Sequence, residues 1–251
     1  LAILLRKIQA KEALLKISLP VAIMCSSVNK QLIQSYLQNH NFFGLSNVKL
    51  FLQQEKIGAN NKRLVDGNGA LFASMKQAKL FEEFSLRGIK NVCLLPVDNP
   101  LAAPLDTSLI GFRKHFSLDA ALLAIPAAED QNMGGLIHEK GALRIIEYYE
   151  KKDFVPKFCN TNLFCFTLNF MKEAAAAALP YHTLRRMGEV KQERFFFDAL
   201  QLTTSCGAAL TARKDCYAPL KTKEGLCGIQ ATRDALLRKE ATTWEALTGS
   251  R

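Results

Sequence analysis

Short apolar segments alternate with amphipathic segments through the first hundred residues of the chain. Residues 21–25, 48–52 and 91–97 are apolar and have the length of buried strands, whereas the residues between them repeat apolar side chains at helical spacing. Strands joined by helical crossovers lie side by side in one sheet, with helices on both of its faces. The sequence therefore predicts an α/β fold with a Rossmann-like, mostly parallel sheet.

Two helices are predicted within this alternation. The first covers residues 28–40 and takes its N-terminal cap from the hydroxyl group of Ser26 or Ser27. The second covers residues 70–84 and ends before Gly88, which is a common stop signal. The apolar side chains predicted to share one face are Val28, Leu32, Ile33, Tyr36 and Leu37 in the first helix, and Leu71, Met75, Ala78, Phe81 and Phe84 in the second.

The second half of the chain has a different pattern. Residues 120–125 form an apolar run that predicts another strand, and residues 134–150 predict a hairpin that turns at residues 139–141. Residues 231–247 predict a C-terminal helix. The hairpin makes the predicted sheet mixed, and the absence of repeats or long linkers favours one main domain.

The charge balance indicates the class of ligand. The chain carries 33 Lys and Arg residues against 23 Asp and Glu residues, which gives a net charge of +10. A basic chain suits a polyanionic ligand, either a nucleic acid or the phosphates of a nucleotide. The basic residues are spread along the chain without a nucleic-acid-binding motif, so most are predicted to be solvated surface charges. No nucleic-acid partner is predicted.

Two further features indicate the compartment. No run of eighteen apolar residues occurs in the sequence, so neither a membrane span nor a membrane partner is predicted. The seven cysteines form no CxxC pair and lack metal-ligand spacing. This pattern predicts reduced thiols in a cytoplasmic protein rather than disulfides or a zinc site.

Ligands of α/β sheets bind beyond the carboxyl ends of the strands, where two candidate sites occur. Gly67, Asn68 and Gly69 precede the second predicted helix, where glycine lets the backbone approach a ligand and a helix N-terminus attracts phosphate. An Asn-Gly turn without function is the alternative. Asp98 follows the apolar run 91–97 and suits a Mg²⁺ ion that bridges phosphates. Its alternative role is to cap the next turn.

Two more side chains are candidates on chemical grounds. Glu147 ends the predicted hairpin, where a carboxylate can accept sugar hydroxyls beside the ring of Tyr148. The alternative is a solvent-exposed glutamate on an edge strand. Lys221 follows a turn at Pro219, where an ammonium group would balance the charge of a transferring phosphoryl group. An ordinary surface charge is the alternative there.

Nine motifs follow one another along the chain. They are IMCSS (23–27), FFGLSNVKLFLQQ (42–54), DGNGALF (66–72), RGIKNVCLLPVDNPLAAPLD (87–106), IIEYYE (145–150), CNTNLFCFTLNFM (159–171), LPYHTLRRM (179–187), KQERFFFDAL (191–200) and YAPLK (217–221). In this order they resemble the UDP-sugar pyrophosphorylase family, and most closely its UDP-N-acetylhexosamine branch. The resemblance covers nearly all of residues 20–225.

The resemblance implies a fold, a domain plan and a set of site residues. The fold is that of the nucleotide-diphospho-sugar transferases (GT-A-like), with a nucleotidyltransferase catalytic domain at 1–225 and a short helical extension at 226–251. The implied roles are uracil and ribose recognition for Gln53, Gly67, Asn68 and Gly69; a Mg²⁺ ligand for Asp98; a sugar pocket for Gly134, Glu147, Tyr148 and Asn160; a wall against the acetamido group for Phe195 and Phe197; and phosphate contact for Lys221.

The implied reaction joins UTP and an N-acetylhexosamine 1-phosphate to give UDP-N-acetylglucosamine or a close UDP-sugar, with release of pyrophosphate. The predicted partners are therefore UTP, the sugar 1-phosphate and the UDP-sugar, bound by a monomer or a weak homo-oligomer. Three alternatives remain open. They are a UDP-glucose or broad-specificity pyrophosphorylase, a non-catalytic UDP-sugar-binding homologue, and a GT-A-like glycosyltransferase, although the last lacks a DxD pair.

The sequence also departs from the family pattern. The family's Gly-rich loop, with its nearby Arg and Lys, holds the UTP triphosphate; it is not found here, and Leu1 aligns downstream of it. The stretches 57–66 and 187–189 are shorter than expected, residues 120–125 lack a lysine that the family often has, and the pairing at 160–162 is uncertain. His182 is expected to make a structural hydrogen bond rather than to act in catalysis.

Overall fold

The structure of the chain is a computed structural model that describes residues 1–57, 63–65, 67–127, 133–150, 154–186 and 189–248. The α-helices are α1 (Ala2–Leu15), α2 (Lys30–Asn39), α3 (Leu71–Gln77), α4 (Leu80–Leu86), α5 (Thr107–His115), α6 (Leu168–Ala174), α7 (Arg213–Cys216) and α8 (Ile229–Thr248). The strands are β1 (Val21–Cys25), β2 (Val48–Leu52), β3 (Glu55–Ile57), β4 (Arg63–Val65), β5 (Asn91–Leu94), β6 (Ala120–Pro126), β7 (Gly135–Glu139), β8 (Ala142–Ile146), β9 (Phe158–Thr167), β10 (His182–Arg186), β11 (Glu189–Glu193) and β12 (Cys206–Leu210).

The main sheet has six strands within the described ranges. β9 lies between β6 on one side and both β5 and β7 on the other, and it is antiparallel to all three. β12 extends the sheet beyond β6 in parallel, and β8 extends it beyond β7 in antiparallel orientation. Consequently β5, β6, β7 and β12 run in one direction, whereas β8 and β9 run in the other. The mixed α/β character of the predicted sheet is confirmed. Within the described ranges, however, β1 and β2 pair only with each other, and β5 is antiparallel to its partner β9. The prediction that residues 91–97 continue one parallel sheet with the first two strands is therefore wrong.

Helices cover both faces of this sheet. Successive side chains of a strand point to opposite faces, so neighbouring residues of β6 enter different parts of the core. Leu122 packs in a cluster with apolar residues of α3, α4 and α6. Leu123 packs in a second cluster with Leu109 of α5 and Leu4 of α1. The predicted two-sided arrangement is therefore present, and it leaves the ends of the strands free to carry a site.

β1, α2 and β2 form the predicted β-α-β crossover. The two strands pair in parallel, from Val21 opposite Val48 to Cys25 opposite Leu52. Phe51 of β2 is buried in the same cluster as Leu122, which attaches the unit to the main core.

The start of α2 differs from its prediction. Asn29, rather than a serine, is the N-cap residue, and its side chain makes no cap hydrogen bond. Its Oδ1 accepts a hydrogen bond from the backbone N–H of Ser26, which closes a turn ahead of the helix. Val28 lies in this turn and is 90% exposed, and Leu32 is 73% exposed. Tyr36 is exposed as well, at 37%, so the predicted apolar face is wrong at these three positions.

The predicted helix over residues 70–84 is two helices, α3 and α4. Lys79 between them has a left-handed φ of 55°, which interrupts the right-handed helical path. The predicted core-facing side chains are nevertheless buried, because both short helices pack against α6. Gly88 ends α4 as predicted, with a φ of 69°.

The later elements agree more closely with the sequence. The predicted hairpin is β7 and β8, and Lys140 and Gly141 at its turn both have positive φ. β5 ends at Leu94, three residues earlier than predicted, so that Asp98 lies in the following turn. The C-terminal helix is α8. Within the described ranges, no helix combines the length and apolar character of a membrane span.

Candidate active site

Asp98 and Lys221 are neighbours although they are far apart in sequence. The Lys221 Nζ lies 4.0 Å from the Asp98 Oδ2, and the side chains are 48% and 37% exposed, respectively. The backbone N–H of Leu220 donates to the backbone oxygen of Asp98 at 2.8 Å. The turn after β5 and the turn that contains Pro219 thus present a carboxylate and an ammonium group to the same region.

Asn99 fixes these two turns to each other. Its side chain is fully buried, and its Nδ2 donates to the backbone oxygen of Cys216 at 2.7 Å. Its Oδ1 accepts from the backbone N–H of Ala218 at 3.1 Å and of Leu101 at 3.3 Å. Asn99 was not among the residues predicted to belong to the site. Its position directly after Asp98 is the sequence feature that could have indicated its role.

Three predicted sugar-pocket residues also converge. The backbone N–H of Asn160 donates to the backbone oxygen of Gly134 at 2.9 Å. A Cβ atom on Gly134 would lie 3.0 Å from the Glu147 Oε1 and 2.7 Å from the side chain of Ile145, so only glycine fits there. The Asn160 side chain is buried and donates to the Asn162 Oδ1 at 2.8 Å. These contacts place Gly134, Glu147 and Asn160 together at one end of β7 and β9.

The Glu147 carboxyl group lies in a charged and largely desolvated environment. Burial, assisted by the neighbouring Glu150, raises its pKa to about 7, whereas the positive charges of Lys221 and His182 act in the opposite direction. A carboxyl group of this kind changes its charge near neutral pH.

The two phenylalanines predicted to form an aromatic wall stack on each other. The Phe195 and Phe197 centroids are 5.0 Å apart with an angle of 4° between the ring planes. Phe197 is 3% exposed and belongs to the core, whereas Phe195 is only partly buried. Of the two, Phe195 is therefore the ring available to a ligand, and Phe197 supports it from behind. Tyr148 is 43% exposed and makes an edge contact with Tyr149.

His182 connects the aromatic segment, residues 195–197, to the hairpin formed by β7 and β8. Its Nδ1 forms a hydrogen bond with the Glu150 Oε1, and its Nε2 lies 2.7 Å from the Asp198 Oδ2. The ring centroid of His182 is 5.0 Å from that of Phe195. Glu150 and Asp198 were not predicted as site residues, although they lie within the motifs at residues 145–150 and 191–200, respectively.

The predicted nucleoside-binding residues pack against the same aromatic segment. The Gln53 Nε2 donates to the backbone oxygen of Gly67 at 3.3 Å, and the Asn68 Oδ1 accepts from the backbone N–H of Phe196 at 3.2 Å. Cβ atoms on Gly67 and Gly69 would lie 2.6 Å and 2.4 Å from atoms of Arg194. The close backbone approach predicted toward a ligand is therefore made, in this structure, toward the 194–196 segment. Asp66 lies outside the described residues.

Direct contacts link most of these groups. Asn68 reaches the aromatic segment, the aromatic segment contacts His182, and His182 binds Glu150 beside Glu147. Lys221 pairs with Asp98, and its charge also acts on the Glu147 carboxyl group. The nucleoside and sugar candidates are thus joined by contacts, whereas the link from the charged pair to Glu147 is electrostatic.

Asp98 is the residue that fits a metal ion. Its carboxylate is accessible, and Mg²⁺ commonly binds proteins through one or two carboxylates while phosphate oxygens and waters complete its shell. Among the described residues, no group of three or more His, Cys, Asp and Glu side chains could hold a metal ion.

The sequence model of the UTP–glucose-1-phosphate uridylyltransferases matches residues 1–246. The chain belongs to this family. This membership agrees with the resemblance of the nine motifs to the UDP-sugar pyrophosphorylase family.

Individual members of the family are similar to the chain at moderate identity. A UDP-N-acetylglucosamine pyrophosphorylase from Saccharomyces cerevisiae is 32% identical over 151 residues, which are 54% of this chain and 32% of that protein. UDP-N-acetylglucosamine diphosphorylase 1 from Arabidopsis thaliana is 26% identical over 81% of this chain and 48% of its own length. The chain thus spans half or less of the length of these two relatives.

Solved structures share the fold. The UDP-N-acetylglucosamine pyrophosphorylase from Trypanosoma brucei, in complex with an inhibitor, has a TM-score of 0.76 at 20% identity and covers 94% of this chain and 57% of its own. A mutant UDP-glucose pyrophosphorylase from Leishmania major, in complex with UDP-glucose, has a TM-score of 0.72 at 17% identity over 88% of this chain and 57% of its own. These matches confirm the predicted nucleotidyltransferase fold.

Proposed function

We propose that the protein is a uridylyltransferase that joins UTP and N-acetylhexosamine 1-phosphate to give UDP-N-acetylglucosamine, or a close UDP-sugar, and pyrophosphate. The observation that carries this proposal is the proximity of Asp98 and Lys221, which are far apart in sequence, together with the contacts that group Gly134, Glu147 and Asn160. Family membership and the similarity to UDP-N-acetylglucosamine pyrophosphorylases support the same reaction class.

In the proposed reaction, a phosphate oxygen of the sugar 1-phosphate attacks the α-phosphorus of UTP. The bond from this phosphorus to the bridging oxygen breaks, and pyrophosphate leaves. Lys221 is placed to offset the negative charge that develops on the phosphoryl oxygens, and Asp98 would hold Mg²⁺, which supplies further charge neutralisation when bound. Alignment of the substrates supplies much of the remaining acceleration, so no covalent enzyme intermediate is required.

Substrate recognition is assigned to the two ends of the site. Gln53 and the 67–69 turn are proposed to bind the uracil and ribose, and Gly134, Glu147, Tyr148 and Asn160 to bind the sugar. Phe195 is proposed to contact the acetamido group, with Phe197 behind it. The catalytic unit is proposed to be residues 1–225, to which residues 226–251 add a helical extension. A cytoplasmic location accords with the seven free cysteines.

A UDP-glucose pyrophosphorylase is the second candidate, because the matching family model describes UTP–glucose-1-phosphate uridylyltransferases. Pyrophosphate release by the full-length protein, with UTP and each sugar 1-phosphate in turn, separates the two. The proposal expects a higher kcat/KM for N-acetylglucosamine 1-phosphate than for glucose 1-phosphate. Equal values would remove the preference for the acetamido sugar. Saturable binding of UDP-N-acetylglucosamine without any turnover would identify a non-catalytic binder.

A further inference from the structure

His182 has an unusual pair of hydrogen-bond partners. Both of its ring nitrogens contact carboxylates, Nδ1 that of Glu150 and Nε2 that of Asp198. When both carboxylates are ionised they only accept hydrogen bonds, so both ring nitrogens then donate and the ring is an imidazolium cation. Burial lowers the pKa of His182, but the hydrogen bonds to Asp198 and Glu150 outweigh this effect and raise it overall.

Each carboxylate is fixed to a different side of the candidate sugar pocket. The second oxygen of Glu150 accepts from the backbone N–H of Glu147 at 2.8 Å, and the backbone N–H of Glu150 donates to the oxygen of Glu147 at 2.9 Å. Asp198 follows the aromatic segment, and its backbone N–H donates to the oxygen of Phe195 at 3.2 Å. His182 is therefore the bridge between the turn that carries Glu147 and the segment that carries Phe195.

The charges around His182 explain why a cation is needed there. Glu147, Glu150 and Asp198 are three acidic groups within electrostatic reach of one another, and the neighbouring cations are His182 and, at Glu147, Lys221. Without the imidazolium, the carboxylates of Glu150 and Asp198 would repel each other across the gap and lose their shared hydrogen-bond donor. The two sides of the pocket would then separate.

We propose that the His182 imidazolium is a positioning residue that holds the Glu147 turn and the Phe195 segment at a fixed spacing, and that it thereby sets the affinity for the sugar rather than for the nucleotide. The inference rests on the proposed function, because it takes the pocket between these two segments as the sugar site. His182 acts through its two carboxylate partners and does not itself contact a reacting atom.

The test compares His182→Phe and His182→Gln with the unaltered full-length protein. Phenylalanine keeps an aromatic ring against Phe195 but removes both hydrogen bonds, and glutamine can donate to one carboxylate only. We expect His182→Phe to raise the KM for N-acetylglucosamine 1-phosphate roughly 10- to 100-fold, in keeping with the loss of charged hydrogen bonds. The KM for UTP should change by less than about twofold, and His182→Gln should give an intermediate value.

Two further measurements keep the outcomes separate. His138→Phe, at an exposed position on β7, serves as the matched control and should leave both KM values unchanged. The ¹⁵N and ¹H NMR signals of His182 should show two protonated ring nitrogens at pH 7. A single protonated nitrogen, or equal changes in the two KM values with a lowered melting temperature, would overturn the positioning role.

The proposed function can fail independently of this inference. If the unaltered protein neither turns over a sugar 1-phosphate nor binds UDP-N-acetylglucosamine, both are overturned together. If it turns over substrates normally and His182→Phe leaves the ratio of the two KM values unchanged, only the inference is overturned. The unaltered protein could also bind UDP-N-acetylglucosamine without turnover. In that case the measurement becomes the ratio of the Kd for UDP-N-acetylglucosamine to the Kd for UDP, which replaces the ratio of the two KM values.

Discussion

At the scale of single residues, Asp98 combines exposure with a charged neighbour. Its side chain is 37% exposed, and the ion pair with Lys221 at 4.0 Å contributes little to folding because solvent screens it. Asp98→Asn preserves shape and removes the charge that would hold a phosphate-bound metal ion. We expect turnover to fall by roughly two orders of magnitude or more, with the free energy of unfolding changed by less than about 0.5 kcal/mol.

The chain contains a matched control for this substitution. Asp215 and Lys239 form a comparably exposed ion pair at 3.4 Å. Asp215→Asn should leave turnover within about twofold of the unaltered protein. Steady-state pyrophosphate release and urea unfolding of both variants measure the two quantities. Full activity in Asp98→Asn would refute the metal assignment.

Glu147 makes a pH-dependent contribution to stability. Burial raises its pKa from an ordinary value of 4.5 to about 7, so the folded protein binds this proton more tightly than the unfolded chain does. The stabilisation is fully present below pH 4.5 and is lost as the pH rises through about 7. We expect the free energy of unfolding of the unaltered protein, relative to Glu147→Gln, to fall by roughly 3 kcal/mol between pH 4 and pH 8. Urea titrations at several pH values measure it, and parallel curves for the two proteins would contradict the raised pKa.

Several residues of the site could be predicted from the sequence, and others could not. Asp98, Glu147 and Lys221 lie at predicted strand ends or turns, where charged groups attract attention. The hydrogen-bond partners of Asn99 are Cys216 and Ala218, which lie 117 and 119 positions later in the chain, and no local sequence pattern predicts such partners. The two acids that bind His182 became recognisable only once the hairpin and the aromatic segment were brought together.

At the scale of the elements, the break between α3 and α4 carries a measurable strain. Lys79 is exposed and has a φ of 55°, a conformation that costs a non-glycine residue about 1 kcal/mol. Lys79→Gly should therefore raise the free energy of unfolding by about 0.5 to 1 kcal/mol, as measured by urea denaturation. Lys76→Gly, in the last turn of α3, should lower it by a similar amount. Destabilisation by both variants would show that Lys79 is not strained.

The break between α3 and α4 also shows what local sequence patterns do not predict. The burial pattern over residues 71–84 was predicted correctly, because apolar side chains alone determine which face turns inward. The interruption of the helix at Lys79 was not predicted, because lysine is a good helix former and no neighbouring residue indicates a helix end. Packing of both short helices against α6, nearly ninety residues later in the chain, overrides that preference.

At the scale of the whole molecule, β9 organises the fold. It pairs with β5, β6 and β7, and these pairings join segments that are remote in sequence. The motif CNTNLFCFTLNFM at residues 159–171 could not give the strand order, which depends on contacts across the entire chain. The order matters for function, because β5 and β7 on the same side of β9 bring the Asp98 turn and Gly134 toward one site.

Phe164 of β9 tests whether this strand is the centre of a cooperative core. It is 1% exposed, stacks on Phe166 at 5.3 Å and makes an edge contact with Phe196 at 5.1 Å. Phe164→Ala should lower the free energy of unfolding by roughly 3 to 5 kcal/mol, because it removes buried contacts and leaves a cavity. Phe116→Ala, at a position that is 58% exposed, should change it by less than about 0.5 kcal/mol. Urea denaturation of the two variants measures the difference, and similar losses would mean that β9 does not anchor the cooperative unit.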